Sequence, residues 1–228
     1  MKSVRTLILC TLPTCPIKQI DPFAFFGFQT CDTIVLTGIH TSLKSNSFAF
    51  MTSIGLVNLS QSIITHIHSN AFQSSENIQQ IDLSYSSISN IDSHAFHDLV
   101  NVSILNLNGN LIRYFEKSIF QELLRTIKEI DLDHNPIYCD CSIEWYLEHR
   151  SPRFKLPDVC TGPIGYECLS PNELQQSQLP CYQTSLKRNR TNFCEKREQN
   201  ILTPKSSAYL FSFNIYLLTC LVFLCRLN

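Results

Sequence analysis

The sequence predicts an α/β solenoid: a stack of short coils with a parallel sheet along its concave edge, a disulfide-bonded C-terminal cap and an apolar C-terminal helix. Three observations predict it. Leu12, Leu36, Leu59, Leu83, Leu107 and Leu132 recur at spacings of 24, 23, 24, 24 and 25 residues. Phe25, Phe48, Phe72, Phe96 and Phe120 keep step with them, one per coil. Past the last repeat, six cysteines cluster between residues 139 and 194.

The best-formed unit covers residues 78–102. With Ile78 as position 1, apolar residues fall at positions 1, 4, 6, 11, 14, 19 and 22. Neither a helical period nor a strand period fits that mask throughout, whereas a short strand, a tight turn and a looser return leg do. Position 1 is held along the chain by Leu7, Cys31, Ile54, Ile78, Val102 and Ile127, and position 4 by Cys10, Ile34, Val57, Ile81, Leu105 and Ile130. One strand with its return leg cannot bury its apolar side alone, so coils stack into a continuous core. Positions 1, 4, 6, 11 and 14 are expected to point inward, with the phenylalanines as a spine. Position 9 must satisfy backbone groups where the strand turns. It reads Cys15, Ser62, Ser86, Asn110 and Asn135, an amide ladder only partly present. The coil starting at Cys31 is one residue short and has no clear position-9 residue, so a looser array is expected there.

A period in the twenties with Leu-x-x-Leu-x-Leu-x-x-Asn/Cys-x-Leu spacing resembles the leucine-rich-repeat family. About six repeats are expected over residues 7–134, the first incomplete or degenerate.

Net charge is −1 and charged residues make up 16% of the chain, which gives no electrostatic case for nucleic acid or a bulk membrane surface. Of the 11 cysteines, Cys10, Cys15 and Cys31 fall on inward positions and are expected as small apolar core residues rather than as a bridge. The dense distal cluster indicates an oxidising compartment. Met1, Lys2 and Arg5 before a short apolar run have the charge of a signal peptide, yet the same residues fit the repeat mask from Leu7. Secreted members of the family usually begin with a cysteine-rich cap, and none is visible. The expectation is therefore a start inside a longer array, with a poor signal sequence up to about Cys15 as the alternative.

From Asn135 the chain reads Asn-Pro-Ile-Tyr-Cys-Asp-Cys-Ser-Ile-Glu-Trp-Tyr-Leu. This resembles the C-terminal cap of extracellular leucine-rich-repeat proteins, including Toll-like receptors and neuronal or matrix adhesion proteins, and it covers residues 135–181. Pro136 is expected to stop further strand pairing. Residues 142–150 suit a short helix with Ile143, Tyr146 and Leu147 on one face, and Trp145 is expected as a lid over the end of the core. The resemblance implies a Cys141–Cys181 bridge and a second from Cys139 to Cys168 or Cys160. Cys168-Leu169-Ser170-Pro171 and Leu174 look like the family's later segment, which points to Cys168. Cys160 and Cys194 are then extra and could form a third bridge; sequence alone does not fix the connectivity. A zinc set of Cys139, Cys141, His134 and His149 is not expected, because one intervening residue is too tight for the usual paired-cysteine spacing.

Residues 182–208 read as a polar stalk, with dibasic Lys187-Arg188 and Lys196-Arg197 as minor cleavage candidates. Residues 209–225 carry no charge and are followed by Arg226. As a helix they span about 26 Å, close to the minimum for a bilayer core. A membrane span is expected, with a glycolipid-anchor signal as the alternative: Ser206, Ser207 and Ala208 supply the small residues, but the polar spacer is nearly absent.

The resemblance implies that the ligand face is the concave sheet, made of positions 2, 3, 5, 7 and 8. The candidate contacts are Gln80, Asp82, Tyr85, Asn106, Asn108, Glu129, Asp131 and Asp133, with Tyr85 as the best single anchor. Three glycosylation sequons occur, at Asn58, Asn101 and Asn189. A glycan on Asn58, at position 5, would push binding toward the C-terminal strands. The expected function is a membrane-tethered, cell-surface recognition module that binds an extracellular protein ligand or co-receptor, without catalysis or cofactor. The alternatives are a secreted or matrix assembly protein, or a piece of a larger receptor. An enzyme finds no support in any Ser/His/Asp order, paired carboxylate site or glycine-rich loop, and 6 glycines in 228 residues make a phosphate cradle implausible.

Overall fold

The computed structural model describes residues 6–11, 15–167 and 169–182. Leu12, Cys168, Asn189, Cys194, nearly all of the expected stalk and the apolar segment 209–225 lie outside them. Among the described residues no helix is long and apolar enough to cross a membrane.

The strands are β1 (Thr6–Cys10), β2 (Gln29–Leu36), β3 (Thr52–Asn58), β4 (His66–Ile67), β5 (Glu76–Asp82), β6 (Asn90–Ile91), β7 (Ile104–Asn106), β8 (Glu129–Asp131) and β9 (Phe154–Lys155). Seven of them form one sheet in the order β1-β2-β3-β5-β7-β8-β9, and every pairing is parallel. β4 and β6 pair in a second, two-stranded sheet where successive coils turn back. Each coil thus contributes one strand in register with its neighbours: Asn58 lies opposite Asp82, Asp82 opposite Asn106, and Asn106 opposite Asp131.

The inward positions are where the mask puts them. Leu36, Leu59, Leu83, Leu107 and Leu132 are buried, as are the position-1 and position-4 residues of every described coil. At position 14 Ile67 and Phe115 are buried, but Ile91 is only half-buried. The phenylalanines form a column of stacked rings, with centroids 4.8 Å apart for Phe25 and Phe48, 5.2 Å for Phe48 and Phe72, and 5.7 Å for Phe72 and Phe96. Aromatic pairs at such separations add about 1 kcal/mol each to the burial itself.

The return legs are built mostly from turns, and among the described residues helix is confined to α1 (Lys117–Phe120), α2 (Glu144–His149) and short 3-10 turns. Their backbones bridge from coil to coil. Phe23 N–H donates to the Asn46 carbonyl at 2.8 Å, Asn46 N–H to Asn70 at 3.0 Å and Asn70 N–H to His94 at 2.9 Å. Phe23, Asn46, Asn70 and His94 all have φ near +62°, so the legs repeat one left-handed turn and satisfy the polar backbone they enclose.

Two expectations near the N-terminus are corrected. Cys10 and Cys15 form a disulfide, with Cα atoms 5.4 Å apart, instead of serving only as apolar filler. Cys10 ends β1, and Cys15, five residues on at the next inward position, bonds to it. Cys31 does stay in the core, its Sγ donating to the Thr33 carbonyl at 3.4 Å. The short coil starting at Cys31 is not loose either. Ile39 fills the position-9 site and is buried, while its carbonyl accepts from Ile63 N–H at 2.8 Å.

The cap brings two more corrections. Cys141 pairs with Cys181 as the resemblance implied, but Cys139 pairs with Cys160 and not with Cys168. Residues 160–162 run alongside 137–139: Cys139 N–H donates to the Gly162 carbonyl at 2.7 Å and Thr161 N–H to Ile137 at 2.8 Å. Pro136 ends its own coil without ending the sheet. After α2 the chain reverses at Arg150, in the left-handed conformation, and β9 adds to the edge of β8 with Phe154 opposite Ile130. Trp145 covers the end of the core together with Phe154. Its ring lies 4.8 Å from Phe115, and its Nε1 donates to the Phe115 carbonyl at 2.8 Å.

Candidate functional site

On the concave face the register lines up residues in rows. One row reads Val35, Asn58, Asp82, Asn106, Asp131 and Lys155. A second reads Thr33, Leu56, Gln80, Ile104 and Glu129. The expected contacts Gln80, Asp82, Asn106, Glu129 and Asp131 therefore share two adjacent rows on one surface, and all five are half-buried. The second row also holds Leu56 and Ile104, half-buried apolar residues that the mask, which reads position 3 as polar, passes over.

The first row helps to hold the sheet. Asp82 Oδ1 accepts from Ser84 N–H at 3.0 Å and from Ser84 Oγ at 2.7 Å. Asn58 does the same with Ser60, Asn106 with Asn108 N–H, and Asp131 with Asp133 N–H. An Asx side chain bonding the backbone two residues on is a local way to turn a strand. The residue type at position 5 is thus set by the turn, and only its outward edge is left for a ligand.

Charge on the face is balanced at its C-terminal end. Lys155 Nζ lies 2.6 Å from Glu129 Oε1. The hydrogen bond to Glu129, with the Asp131 charge beyond it, holds this ammonium above the ordinary lysine range. β9, which the sequence did not announce, is what delivers Lys155 to the candidate contacts Glu129 and Asp131.

Tyr85 stands at the strand end, 60% exposed. Its N–H donates to the Asn108 carbonyl at 2.8 Å, and its ring covers Gly109. Beside it, the side-chain oxygen Asn108 Oδ1 is buried and has no hydrogen-bond partner among the described residues. Asn108 Nδ2 faces Asp131 Oδ1 at 3.4 Å and His134 Nδ1 at 3.3 Å. Asp133 contacts His134 in turn, at 3.2 Å. Tyr85, Asn108, Asp131, Asp133 and His134 are thus brought together, while Gln80 and Glu129 lie farther down the strands.

Of the sequons, Asn58 sits in the first row and Asn101 is exposed, its Nδ2 donating to Asn77 Oδ1 at 3.0 Å.

Residues 53–112 and 76–137 match the family model described as leucine rich repeat. No curated protein sequence matches the chain. Among solved structures, human 5T4 (Wnt-activated inhibitory factor 1, trophoblast glycoprotein) is similar at 17% identity, over 79% of this chain and 97% of that one, with a TM-score of 0.32. The mouse RP105/MD-1 complex is similar at 18% identity, over 64% and 37% of the two chains, with a TM-score of 0.31. An octameric complex of Latrophilin 3, Unc5D and FLRT2 is similar at 13% identity, over 66% and 83%, with a TM-score of 0.29.

Proposed function

We propose, from the premise that this chain is a leucine-rich-repeat array closed by a disulfide-bonded cap, that it is an extracellular recognition module which binds a protein ligand through its concave face. The observation that carries the reading is the pairing of Tyr85 with Asn108. An exposed aromatic ring, fixed by the backbone beneath it, stands beside a buried acceptor with no partner among the described residues. A rigid, exposed aromatic ring is what a partner's apolar side chain would meet, and the Asn108 carbonyl beneath it holds that ring's backbone in place. The half-buried Leu56 and Ile104 extend the apolar part of the same face. The module acts by binding, without catalysis, and segment 209–225 tethers it to the outer surface of the cell. Asn58, Asn101 and Asn189 carry glycans, and the one on Asn58 shifts binding toward the C-terminal strands.

The test is a screen of the cell-displayed chain against a panel of extracellular proteins, repeated with Tyr85→Ala and Asn108→Ala. A partner lost with these variants and retained with Lys117→Ala supports the reading. A partner indifferent to Tyr85, Asn108 and Asp131 alike overturns it. Surface labelling of intact cells separates a tethered form from a secreted assembly protein.

A further inference from the structure

Away from the concave face, the return legs gather four of the chain's 7 histidines into two sets of like composition. The first set is His66, His68 and Asp92, and the second is His94, His97 and Glu122. In each, the potential ligand atoms all lie within 4.8 Å of one another.

The repeat builds the first set. His66 begins β4 and His68 lies two residues on, so both rings project from the same side of an extended segment. They stack with centroids 3.9 Å apart. β6 pairs with β4 one coil later, with Ile67 opposite Ile91, which brings Asp92 alongside His68. Asp92 Oδ1 lies 2.7 Å from His66 Nε2, and Oδ2 lies 3.5 Å from His68 Nδ1. Ser69 N–H also donates to Oδ2 at 3.2 Å, which fixes the carboxylate from behind. The second set, one coil on, has the same composition but is built from the return legs, with its histidines three residues apart. Glu122 Oε2 lies 3.0 Å from His97 Nδ1 and accepts from Asp98 N–H at 3.1 Å, and Oε1 lies 3.8 Å from His94 Nδ1.

Each carboxylate is faced by two imidazoles: Asp92 by one at each oxygen, and Glu122 by His97 across both oxygens with His94 beside Oε1. Two neutral imidazoles and a carboxylate, with solvent on the open side, make a three-ligand set with room for water in the fourth position. That donor chemistry suits zinc and its neighbours, whereas calcium and magnesium take oxygen donors almost throughout. Ligand atoms about 3.3 Å apart would close a tetrahedron at zinc–nitrogen distances near 2.0–2.1 Å. The backbone amides of Ser69 and Asp98 then act as the outer contacts that orient the carboxylates.

We propose that this flank holds two transition-metal ions of the zinc class, one at His66, His68 and Asp92 and one at His94, His97 and Glu122. Each ion joins one coil to the next, so the pair staples three consecutive coils. The ligands come from residues 24 to 28 apart, and the repeat itself sets that distance.

The experiment is calorimetric titration of the EDTA-stripped full chain with zinc chloride at neutral pH, alongside magnesium and calcium chlorides. Two equivalents of zinc, bound tighter than about 100 µM with no comparable magnesium or calcium binding, are expected. His68→Ala should remove one equivalent, His97→Ala the other, and the double variant both. Zinc should raise the melting temperature of the wild type and not that of the double variant. His68→Gln and His97→Gln, which keep side-chain bulk, guard against loss of fold, checked by melting in EDTA. Zinc binding that survives in the double variant assigns the ion to other donors and overturns the proposal, as does no binding, or equal binding of calcium.

Discussion

The Tyr85 ring covers Gly109 so closely that a methyl group added there would lie 2.4 Å from ring carbons Cδ1 and Cε1. Gly109 has φ +67°, but Gln61, Tyr85 and His134 hold the same place in their own coils at φ 53°, 52° and 55° with side chains present. The backbone conformation is therefore accessible to residues with side chains at a modest cost, and the ring above adds to it. Gly109→Ala should destabilise the fold by about 1–2 kcal/mol through left-handed strain and should also swing Tyr85 out of place. In Tyr85→Ala the added methyl meets no ring, so the double variant should be more stable than the sum of the single changes. Urea unfolding of the four proteins measures that coupling.

Asn110 ties two coils together through its side chain. Its Oδ1 accepts from Ser86 N–H and Ile88 N–H, both at 3.0 Å, and its Nδ2 donates to the Leu83 and Leu107 carbonyls at 2.9 and 2.8 Å. Asn110→Ala strands buried backbone groups on two coils, at about 1–3 kcal/mol for each left unpaired, so a loss of about 3 kcal/mol or more is expected. Asn110→Ser should cost less. Ser86 holds the same place one coil earlier and bridges the Leu59 and Ser84 carbonyls at 3.0 Å with a single hydroxyl. Chemical denaturation ranks the three proteins.

Much of this fold was legible because apolar periodicity is a direct record of burial. Ile78, Ile81, Leu83, Ile88 and Phe96 announced their inward positions, and Asn110 with Asn135 announced the turn. The left-handed turns were not legible. Asn46 and Asn70 tolerate such φ values and hint at them, but Phe23, His94, Gln61 and Tyr85 adopt the same conformation with no compositional sign. Inter-coil hydrogen bonds impose it, and they depend on the stack already existing. The candidate ligand row was legible as position 5 but not as a turn device. Lys155 and the two histidine sets were missed for one reason: each meets its partners only across neighbouring strands or coils. Read at the repeat period, the histidines followed one coil later by Asp92 and Glu122 were the available signal.

Cys139 and Cys160 offer a clean test of the cap. Non-reducing peptide mapping should recover Cys139 linked to Cys160 and Cys141 linked to Cys181. Cys160→Ser opens a link with a sequence separation of 21 residues, and the chain-entropy account gives about 3 kcal/mol for loops of that size. Cys168→Ser should leave the Cys139 peptide pairing unchanged. Recovery of a Cys139–Cys168 peptide would instead restore the pairing that the family resemblance implies.

Acid should loosen the stack at the histidine-faced carboxylates. Partial burial pushes Asp92 up, but hydrogen bonds from His66 and the Ser69 N–H, with the charges of His66 and His68, hold it below its ordinary 3.8. Burial likewise raises Glu122, and the Asp98 N–H with His97 and His94 outweighs it, leaving that group below 4.5. A carboxyl depressed in the folded state adds stability above its unfolded value and gives it up as pH falls through the folded one. Both groups are more than a third exposed, with side-chain exposures of 38% and 35%, so solvent screening keeps each contribution small. Urea midpoints measured in EDTA should therefore decline below about pH 4. Asp92→Asn and Glu122→Gln should start lower at neutral pH and converge on the wild type in acid. Parallel curves for wild type and variants down to pH 3 would mean that these carboxylates bind their protons equally in the folded and unfolded chain.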